Sequence, residues 1–399
     1  MTTIAIDLAD PEYRLHPWPI YQRLRDESPV HLMPGGMWDG SDFYVLSRYD
    51  DVALALRDKK LFSSHIRRGD YLDLPILVNR DAPDHTRLRH ITNRAFNARL
   101  VRTLGDYVQQ IVDGLIDEVL AARQVEYVEA FTTALPLRIV GGMLGIPLDR
   151  KADLRRWSQA VTEAFAVAGG MDPALAPGFF EDFMEFGNYM EYLAGQRAGE
   201  PSRGDIMGDL VARREAGDLT RDELVGLGWS FVAAGHETTM NLLGGGTQML
   251  LSDPALAALL VAEPDRTEDF MEEYLRLFSP TQWVLRRPVE DVVLHDVLIP
   301  AGELVHVVIG SANRDPRKFP DPDVFDLDRE NKDEHMAFGG GPHFCPGAML
   351  ARLFVGRAFR SLYPHLGRLS LDPDEPPQLR TRQGAYGIAR MGILIDNGA

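Results

Sequence analysis

The sequence predicts a mostly α-helical protein with a smaller β-rich region, and three observations support this fold class. Apolar residues recur with a helical period through most of the chain, up to about residue 280. Within that part, one apolar run is long enough to form a helix that crosses a whole domain. Residues 289–315 are different, because they combine β-branched residues with turn signals, as β-hairpins do.

The N-terminal part of the chain mixes helical and strand signals. Residues 17–27, PWPIYQRLRDE, have the pattern of a short amphipathic helix, and FYVLSRY, from Phe43 to Tyr49, alternates like a strand. Short strand-like pieces return after residue 377. Because no repeat, low-complexity tract or long Gly/Ser linker interrupts the sequence, we expect residues 1–399 to form a single domain.

The composition excludes several classes of protein. A formal net charge of −17 argues against non-specific binding to nucleic acid. One cysteine in 399 residues excludes an intramolecular disulfide. The first residues do not read as a signal peptide, and no apolar run approaches the ~20 residues that span a bilayer. We therefore expect a cytoplasmic protein that is a monomer and binds no membrane.

The longest predicted helix begins at a capping box, in which Thr220 and Glu223 have the T-x-x-E spacing. It ends near SDP, residues 252–254, so about 32 residues span about 48 Å. Apolar residues on almost every side predict that it is buried. Its middle nevertheless carries the polar residues 236–239, and burying a carboxylate is costly unless it has a partner or a function. The alternative is that these residues form a stripe facing water.

The single cysteine, Cys345, lies in the segment AFGGGPHFCPGAMLARLF, residues 337–354. A lone cysteine is most often a small buried hydrophobic residue. Here Pro346 suits the first turn of a helix, and the N–H groups of Gly347 and Ala348 can stabilise a thiolate. The preceding three glycines allow the backbone to approach a flat ligand closely. A phosphate loop would need Gly-Lys-Ser/Thr after these glycines, and a structural zinc site would need more ligands.

A second unusual stretch, AGHETTM, occupies residues 234–240 in the middle of the long helix. A zinc hydrolase with the motif H-E-x-x-H would need a second histidine at position 240, which is Met240. What remains is an acid, Glu237, followed by an alcohol, Thr238, which together can relay protons. Gly235 leaves room for a ligand beside the helix. A thiolate together with a buried proton relay suggests a haem whose iron is held by cysteine.

Six motifs spread over most of the chain resemble, in order, those of soluble bacterial members of the cytochrome P-450 family. The first five contain a basic helix, an acid–alcohol pair, an E-x-x-R pair and two loop signatures, and the sixth contains the cysteine. They are HTRLR (residues 85–89), AGHETT (234–239), EYLR (273–276), ANRDP (312–316), FPDPDVFDLDR (319–329) and FGGGPHFCPG (338–347).

The resemblance implies a fold in which haem b lies between the long central helix and the helix after the cysteine loop. Cys345 would be the iron ligand. Other residues, all but Arg286 from the same motifs, would contact the haem, and those with cationic or imidazole side chains would hold its propionates. This implied set comprises His85, Arg89, Gly235, Arg286, Phe338, His343 and Gly347, with Arg287 as the alternative to its neighbour Arg286.

The resemblance also implies a monooxygenase that inserts one oxygen atom from O2 into an apolar, small or mid-sized organic substrate. Glu237 and Thr238 would be its catalytic acid–alcohol pair. The chain has neither the length nor the G-x-G-x-x-G fingerprint for a fused reductase, so electrons would come from a separate iron–sulfur ferredoxin. A basic patch on the cysteine side would steer this acidic partner. Its members would be Arg87, Arg94, Arg99, Arg102, Arg352, Arg357 and Arg360.

The remaining expectations concern the substrate pocket and one ion pair. By analogy with the family, Tyr71, Val232, Trp283, Val284 and Tyr386 would line the pocket. Glu273 and Arg276 share a helix face, and the resemblance gives them a structural role that Arg329 would complete. A haem-thiolate sensor or binding protein without turnover stays as the alternative function, although such a sensor needs no proton relay.

Overall fold

The computed structural model describes residues 13, 15–66, 76–95, 98–200, 205–380 and 384–396, apart from the side chains of residues 95 and 98–103. As predicted, the fold is mostly helical with a smaller β region. The helices are α1 (Trp18–Glu27), α2 (Tyr49–Arg57), α3 (Asp84–Ala95), α4 (Ala98–Ala121), α5 (Ala134–Leu144), α6 (Lys151–Ala168), α7 (Phe179–Arg197), α8 (Ile206–Glu215), α9 (Arg221–Ser252), α10 (Pro254–Ala262), α11 (Thr267–Phe278), α12 (Ile309–Ala312) and α13 (Ala348–Leu362).

The strands form four small sheets in the described part of the chain. They are β1 (Val30–Met33), β2 (Phe43–Leu46), β3 (Phe62–Ser63), β4 (Gln124–Glu126), β5 (Val284–Pro288), β6 (Val292–Leu294), β7 (Val297–Ile299), β8 (Val305–Val307), β9 (Leu369–Leu371), β10 (Gln378–Leu379), β11 (Ile388–Arg390) and β12 (Gly392–Ile395). The largest sheet has the order β1-β2-β8-β5-β3, with only β2 and β8 parallel. The predicted hairpin is the β6–β7 pair.

The central helix α9 has the bounds that its sequence predicts. The Thr220 hydroxyl accepts a hydrogen bond from the Glu223 N–H at 3.2 Å, and the Glu223 carboxylate accepts one from the Thr220 N–H at 2.9 Å. This capping box satisfies two backbone N–H groups at once. Helices α5, α6, α7 and α13 all pack against α9, which places it in the main hydrophobic core. None of the described helices is long and apolar enough to cross a lipid bilayer.

A buried ion-pair network joins α11 to the segment before the cysteine. Glu273 and Arg276 are both fully buried, and their side chains form two hydrogen bonds of 2.8 Å. The Arg329 guanidinium donates to the same Glu273 carboxylate at 3.0 Å. The arginine that completes this network is therefore Arg329. Buried charges of this kind need multiple partners, and both arginines also donate to the Val324 carbonyl.

The glycines before Cys345 fix the path of the cysteine loop. Gly339 and Gly341 have φ values of +74° and +61°, which residues with a side chain rarely adopt, whereas Gly340 is extended. A Cβ atom on Gly341 would lie 2.6 Å from the backbone oxygen of Leu56. The loop therefore rests directly on the C-terminal end of α2.

Candidate active site

An internal cavity of about 470 Å³ lies between α9 and the cysteine loop. Cys345, Phe338 and Gly347 line it on the loop side. Residues 233–235 and 237–239 of α9 also line it. Most of the other lining side chains are apolar, which is typical of sites that bind cofactors and small molecules. The cavity thus brings together the two unusual stretches of the sequence.

Cys345 lies just before α13, in a polar environment provided by the backbone. Its N–H donates to the Phe338 carbonyl at 2.8 Å, which closes the loop. Burial raises the pKa of the Cys345 thiol, while hydrogen bonds from the Gly347 and Ala348 N–H groups and the charges of Arg89 and Arg352 oppose this shift. A metal ion bound at the sulfur would favour the thiolate, which burial alone disfavours.

Four basic or imidazole side chains gather at one end of the cavity. Arg286 and His85 are buried, and the His85 and His343 rings are 4.0 Å apart. Burial, together with the charges of Arg286, His85 and Arg89, lowers the pKa of His343 to about 3. Burial also lowers the pKa of Arg286 to about 10.

This basic cluster has the chemistry of an anion site. In the described part of the chain, neither Arg89 nor Arg286 forms an ion pair with a carboxylate, and the buried His85 Nε2 has no hydrogen-bond partner. Buried cations are costly unless an anion compensates them. A ligand with carboxylates beside the cluster and a metal near Cys345 would satisfy both requirements, and haem is such a ligand. The residues present therefore fit this cofactor.

The two adjacent arginines of β5 point in different directions. Arg286 lines the cavity and is 3% exposed, whereas the Arg287 guanidinium donates to the Gly302 carbonyl outside the cavity. Neighbouring residues of a strand project to opposite faces of a sheet, so only one of them can face the ligand. Of the two arginines that the sequence left open, Arg286 is the one at the cavity.

Three of the four polar residues in the middle of α9, residues 237–239, line the cavity and do not form a stripe facing water. Thr238 lies against the cavity, and its hydroxyl donates to the Ala234 carbonyl at 2.6 Å. Glu237 is 7% exposed and also lines the cavity, where its carboxylate faces Arg380 with an Nη1–Oε1 distance of 3.5 Å. Gly235 does line the cavity, but a side chain there would also collide with Val140 of α5.

The zinc-hydrolase alternative finds no support in the geometry. The His236 ring is buried, and its Nδ1 lies 2.7 Å from the Ser158 hydroxyl of α6. Within the ranges that the structure describes, no three His, Cys, Asp or Glu side chains are grouped so that they could hold a metal ion. His236 therefore joins two helices.

Two of the expected pocket residues line the cavity, and two do not. Trp283 and Val284 are at its wall. Val232 is fully buried in the core on another side of α9, and Tyr386 stacks on Phe278 at 6.0 Å, so neither is part of the lining formed by the described residues. Tyr71 lies outside the described residues.

The Trp283 indole is held between two glycines that the sequence did not single out. A Cβ atom on Gly169, at the end of α6, would lie 2.1 Å from its ring, and one on Gly384 would lie 3.0 Å from it. Behind the indole, the His306 ring lies 4.3 Å away. Three separate segments of the chain thus fix this part of the wall.

A thiol loop opposite an acid–alcohol pair, with a basic cluster beside them, defines the class of haem-thiolate proteins. The comparisons with known proteins narrow this class to one family. The family model "Cytochrome P450" matches residues 188–382. Cytochrome P450 107B1 of Saccharopolyspora erythraea is 36% identical over 377 residues, 89% of each chain. Vitamin D(3) 25-hydroxylase of Pseudonocardia autotrophica is 32% identical over 88% of each chain.

Solved structures agree with this result. The crystal structure of CYP109E1 from Bacillus megaterium in complex with testosterone has a TM-score of 0.87 and 28% sequence identity, over 98% of this chain and 100% of that one. The chain belongs to the cytochrome P450 family. It is accordingly an oxidoreductase of the monooxygenase type, and its cofactor is haem b bound through a cysteine ligand.

Proposed function

We propose that this chain is a single-domain monooxygenase that oxidises an apolar, small or mid-sized organic molecule with electrons from a separate ferredoxin. One observation carries the proposal: the cavity lies between Cys345 and the Glu237–Thr238 pair. This arrangement provides a place for a cofactor, a place for a substrate and a means of moving protons within one cavity. The proposal extends to a monomeric, cytoplasmic protein.

The roles of the cofactor-binding residues follow from their chemistry. When bound, the haem supplies the iron at which dioxygen is activated. Cys345 provides the thiolate ligand, and the short loop bond from its N–H to Phe338 holds the sulfur in place. The haem propionates would be bound by Arg89, Arg286, His85 and His343. Phe338, Gly235 and Gly347 line the walls without adding polar groups from their side chains.

Glu237 and Thr238 hold and move protons at the opposite wall. The Thr238 hydroxyl donates its proton to a hydrogen bond with the Ala234 carbonyl. Its oxygen can therefore accept a hydrogen bond from a donor in the cavity. Glu237 is held against Arg380 at the cavity edge, where it can exchange protons with water and pass them towards Thr238. General acid–base groups of this kind commonly contribute 10²–10⁴-fold to a rate.

The substrate class is supported by the lining of the cavity and by two relatives. Trp283, Val284, Phe231 and Ile309 present apolar surface, which favours a substrate with few polar groups. One relative is named as a vitamin D(3) hydroxylase, and one structural neighbour holds testosterone. We therefore propose a terpenoid, steroid, aromatic compound or fatty acid, with Trp283 and Val284 in contact with it.

We propose an acidic ferredoxin as the electron donor from the distribution of positive charge, and the ion pairs of the individual arginines bear on which of them would attract it. Arg87 pairs with Glu223, and Arg352 pairs with Glu272, so both guanidinium groups already have a carboxylate partner. Arg357 and Arg360 donate hydrogen bonds to the Gln109 amide oxygen and the Pro264 carbonyl, and neither forms an ion pair with a carboxylate of the described residues. Turnover supported by an acidic ferredoxin should slow as ionic strength rises, because salt screens this attraction. If the turnover rate does not change with ionic strength, electrostatic attraction does not guide the ferredoxin to this surface.

The test of the proposed function uses the purified, haem-loaded protein and Cys345→Ala. The reduced, carbon-monoxide-bound wild type should show the strongly red-shifted Soret band of thiolate ligation, and the variant should lose it. A substrate library is then screened for the shift from six- to five-coordinate iron, and each compound that produces it is tested for oxygen insertion. Pigment and oxidation chemistry that survive in Cys345→Ala would overturn the proposal.

A further inference from the structure

Glu272 is a buried carboxylate on α11, next to the glutamate of the E-x-x-R network, and it has different partners. Its two oxygens accept hydrogen bonds of 2.7 Å each from Nε and Nη2 of Arg352 on α13. The His335 Nε2 lies 3.1 Å from one of these oxygens. Because the His335 Nδ1 accepts the Ala337 N–H, its proton is on Nε2 and points to Glu272. Three hydrogen bonds from two side chains therefore hold this buried carboxylate.

The partners of Glu272 outweigh the cost of burying it. Burial alone would raise the pKa of Glu272, but hydrogen bonds from Arg352 and His335, together with the charge of Arg352, lower it to about 2. The same bonds raise the pKa of Arg352. A bidentate contact also fixes the plane of the guanidinium, which a single hydrogen bond does not.

Glu272 thereby fixes Arg352 against the cysteine loop. The Arg352 guanidinium carbon lies 4.5 Å from the centre of the Phe338 ring, within the range of a cation–π interaction. The Phe338 carbonyl in turn accepts the Cys345 N–H. Arg352 also acts through space on Cys345, because its charge favours the thiolate form. A continuous line of contacts therefore runs from Glu272 through Arg352 and Phe338 to Cys345.

We propose that Glu272 and Arg352 are positioning residues that hold a cation beside the cysteine ligand and thereby raise the reduction potential of the bound cofactor. The inference rests on the proposed function, because it needs Cys345 to bind the iron. One-electron reduction adds negative charge to the site, and a fixed cation nearby stabilises the reduced state. Without Arg352, the buried Glu272 carboxylate would act in the opposite direction.

The experiment measures the reduction potential of the haem-loaded protein by chemical titration, without ferredoxin. Arg352→Gln removes the positive charge, and Arg352→Lys keeps the charge but cannot form the bidentate contact with Glu272. Glu272→Gln weakens the contact that holds the Arg352 guanidinium in place. The control is Arg138→Gln, because Arg138 also bridges two helices through a glutamate, Glu118, and is not part of the cavity lining that the described residues form. The reduced carbon-monoxide spectrum and thermal unfolding are recorded for each protein.

Arg352→Gln is expected to lower the equilibrium constant for reduction of the haem at least threefold. This corresponds to a decrease of about 30 mV in the reduction potential, since a tenfold change is 59 mV for one electron. Arg352→Lys should fall between Arg352→Gln and the wild type. Glu272→Gln should reduce the fraction of protein with the red-shifted Soret band, and Arg138→Gln should match the wild type. If the wild type lacks that band, the proposed function fails. If the wild type has it and the potential of Arg352→Gln equals that of Arg138→Gln, only this inference fails.

Discussion

Glu237, in the middle of the central helix, is paired with Arg380, which follows β10 near the end of the described chain, at 3.5 Å between Oε1 and Nη1. The two residues are 143 positions apart in the sequence. Arg380 also places Nη2 3.2 Å from the sulfur of Met240, one helical turn beyond Glu237. Met240, which stands where the zinc motif needs a histidine, therefore helps to position the Arg380 guanidinium opposite the Glu237 carboxylate.

This ion pair predicts that Arg380 matters for turnover more than for substrate binding. Arg380→Gln should lower kcat about tenfold, part of the 10²–10⁴ of general acid catalysis, because the carboxylate loses the group that orients it. The substrate Kd, measured by the change in iron coordination, should stay within about twofold. Arg380→Lys should recover part of the rate. Equal kcat values for Arg380→Gln and the wild type would contradict this prediction.

The geometry of β5 predicts different behaviour for two adjacent arginines. Arg286→Ala should weaken haem binding by roughly tenfold to a hundredfold, because a hydrogen bond to a charged group contributes about 1.5–3 kcal/mol. Arg287→Ala is the matched control and should keep its haem, since that side chain bonds to Gly302. The measurement is the rate of haem transfer to an acceptor protein. Similar rates in the two variants would show that Arg286 does not bind the cofactor.

The Glu273 network predicts that Arg329 is needed for stability. Arg329→Leu should lower the free energy of unfolding by about 3–5 kcal/mol, because it leaves part of a buried carboxylate without its cation. Arg23→Gln, which breaks the exposed Arg23–Glu27 pair, should cost less than about 1 kcal/mol. Denaturant titration of both variants provides the comparison. A loss below 1 kcal/mol for Arg329→Leu would mean that Arg276 alone satisfies Glu273.

Glu272 predicts a defined dependence of stability on pH. Its pKa falls from 4.5 to about 2 on folding, so its ionised form stabilises the folded state. That stabilisation is fully present above about pH 4.5 and is lost as pH falls towards 2. Glu272→Gln should therefore flatten the decline of the unfolding free energy below about pH 4.5, whereas Glu118→Gln, at an exposed pair, should not. Parallel curves for Glu272→Gln and the wild type would refute this assignment.

The packing of the Trp283 indole against Gly169 predicts that this glycine, which does not itself line the cavity, controls the size of the cavity. Gly169→Ala should displace Trp283, because the new methyl group would lie 2.1 Å from the ring. Affinity for the bulkiest substrates should fall about tenfold, as expected for roughly 1.4 kcal/mol of steric cost. Gly195→Ala on α7, where no described atom lies within 4 Å of the added carbon, is the control. An unchanged size preference in Gly169→Ala would show that the indole can move freely.

Local signals explain which parts of the protein could be predicted from sequence. The bounds of α9 follow from its capping box and its proline-containing end, and the cysteine loop follows from glycines that need positive φ. Val232 is predicted to line the pocket but is not part of the lining that the described residues form, because α9 is apolar on nearly every side and its period does not show which side meets a cavity. Arg380 and Gly169 carry no local signal, since each acts only through a contact made by the tertiary fold.

The contact between Gly341 and the backbone at Leu56 has a consequence for the order of assembly in the cell. A ribosome delivers the N-terminal end of a chain first, so α2 leaves the exit tunnel long before the thiol is made. The C-terminal end of α2, on which the cysteine loop rests, must then remain without this contact until most of the chain has been synthesised. Haem binding is consequently a late event in synthesis, and a nascent chain stalled before Gly341 should contain no bound haem.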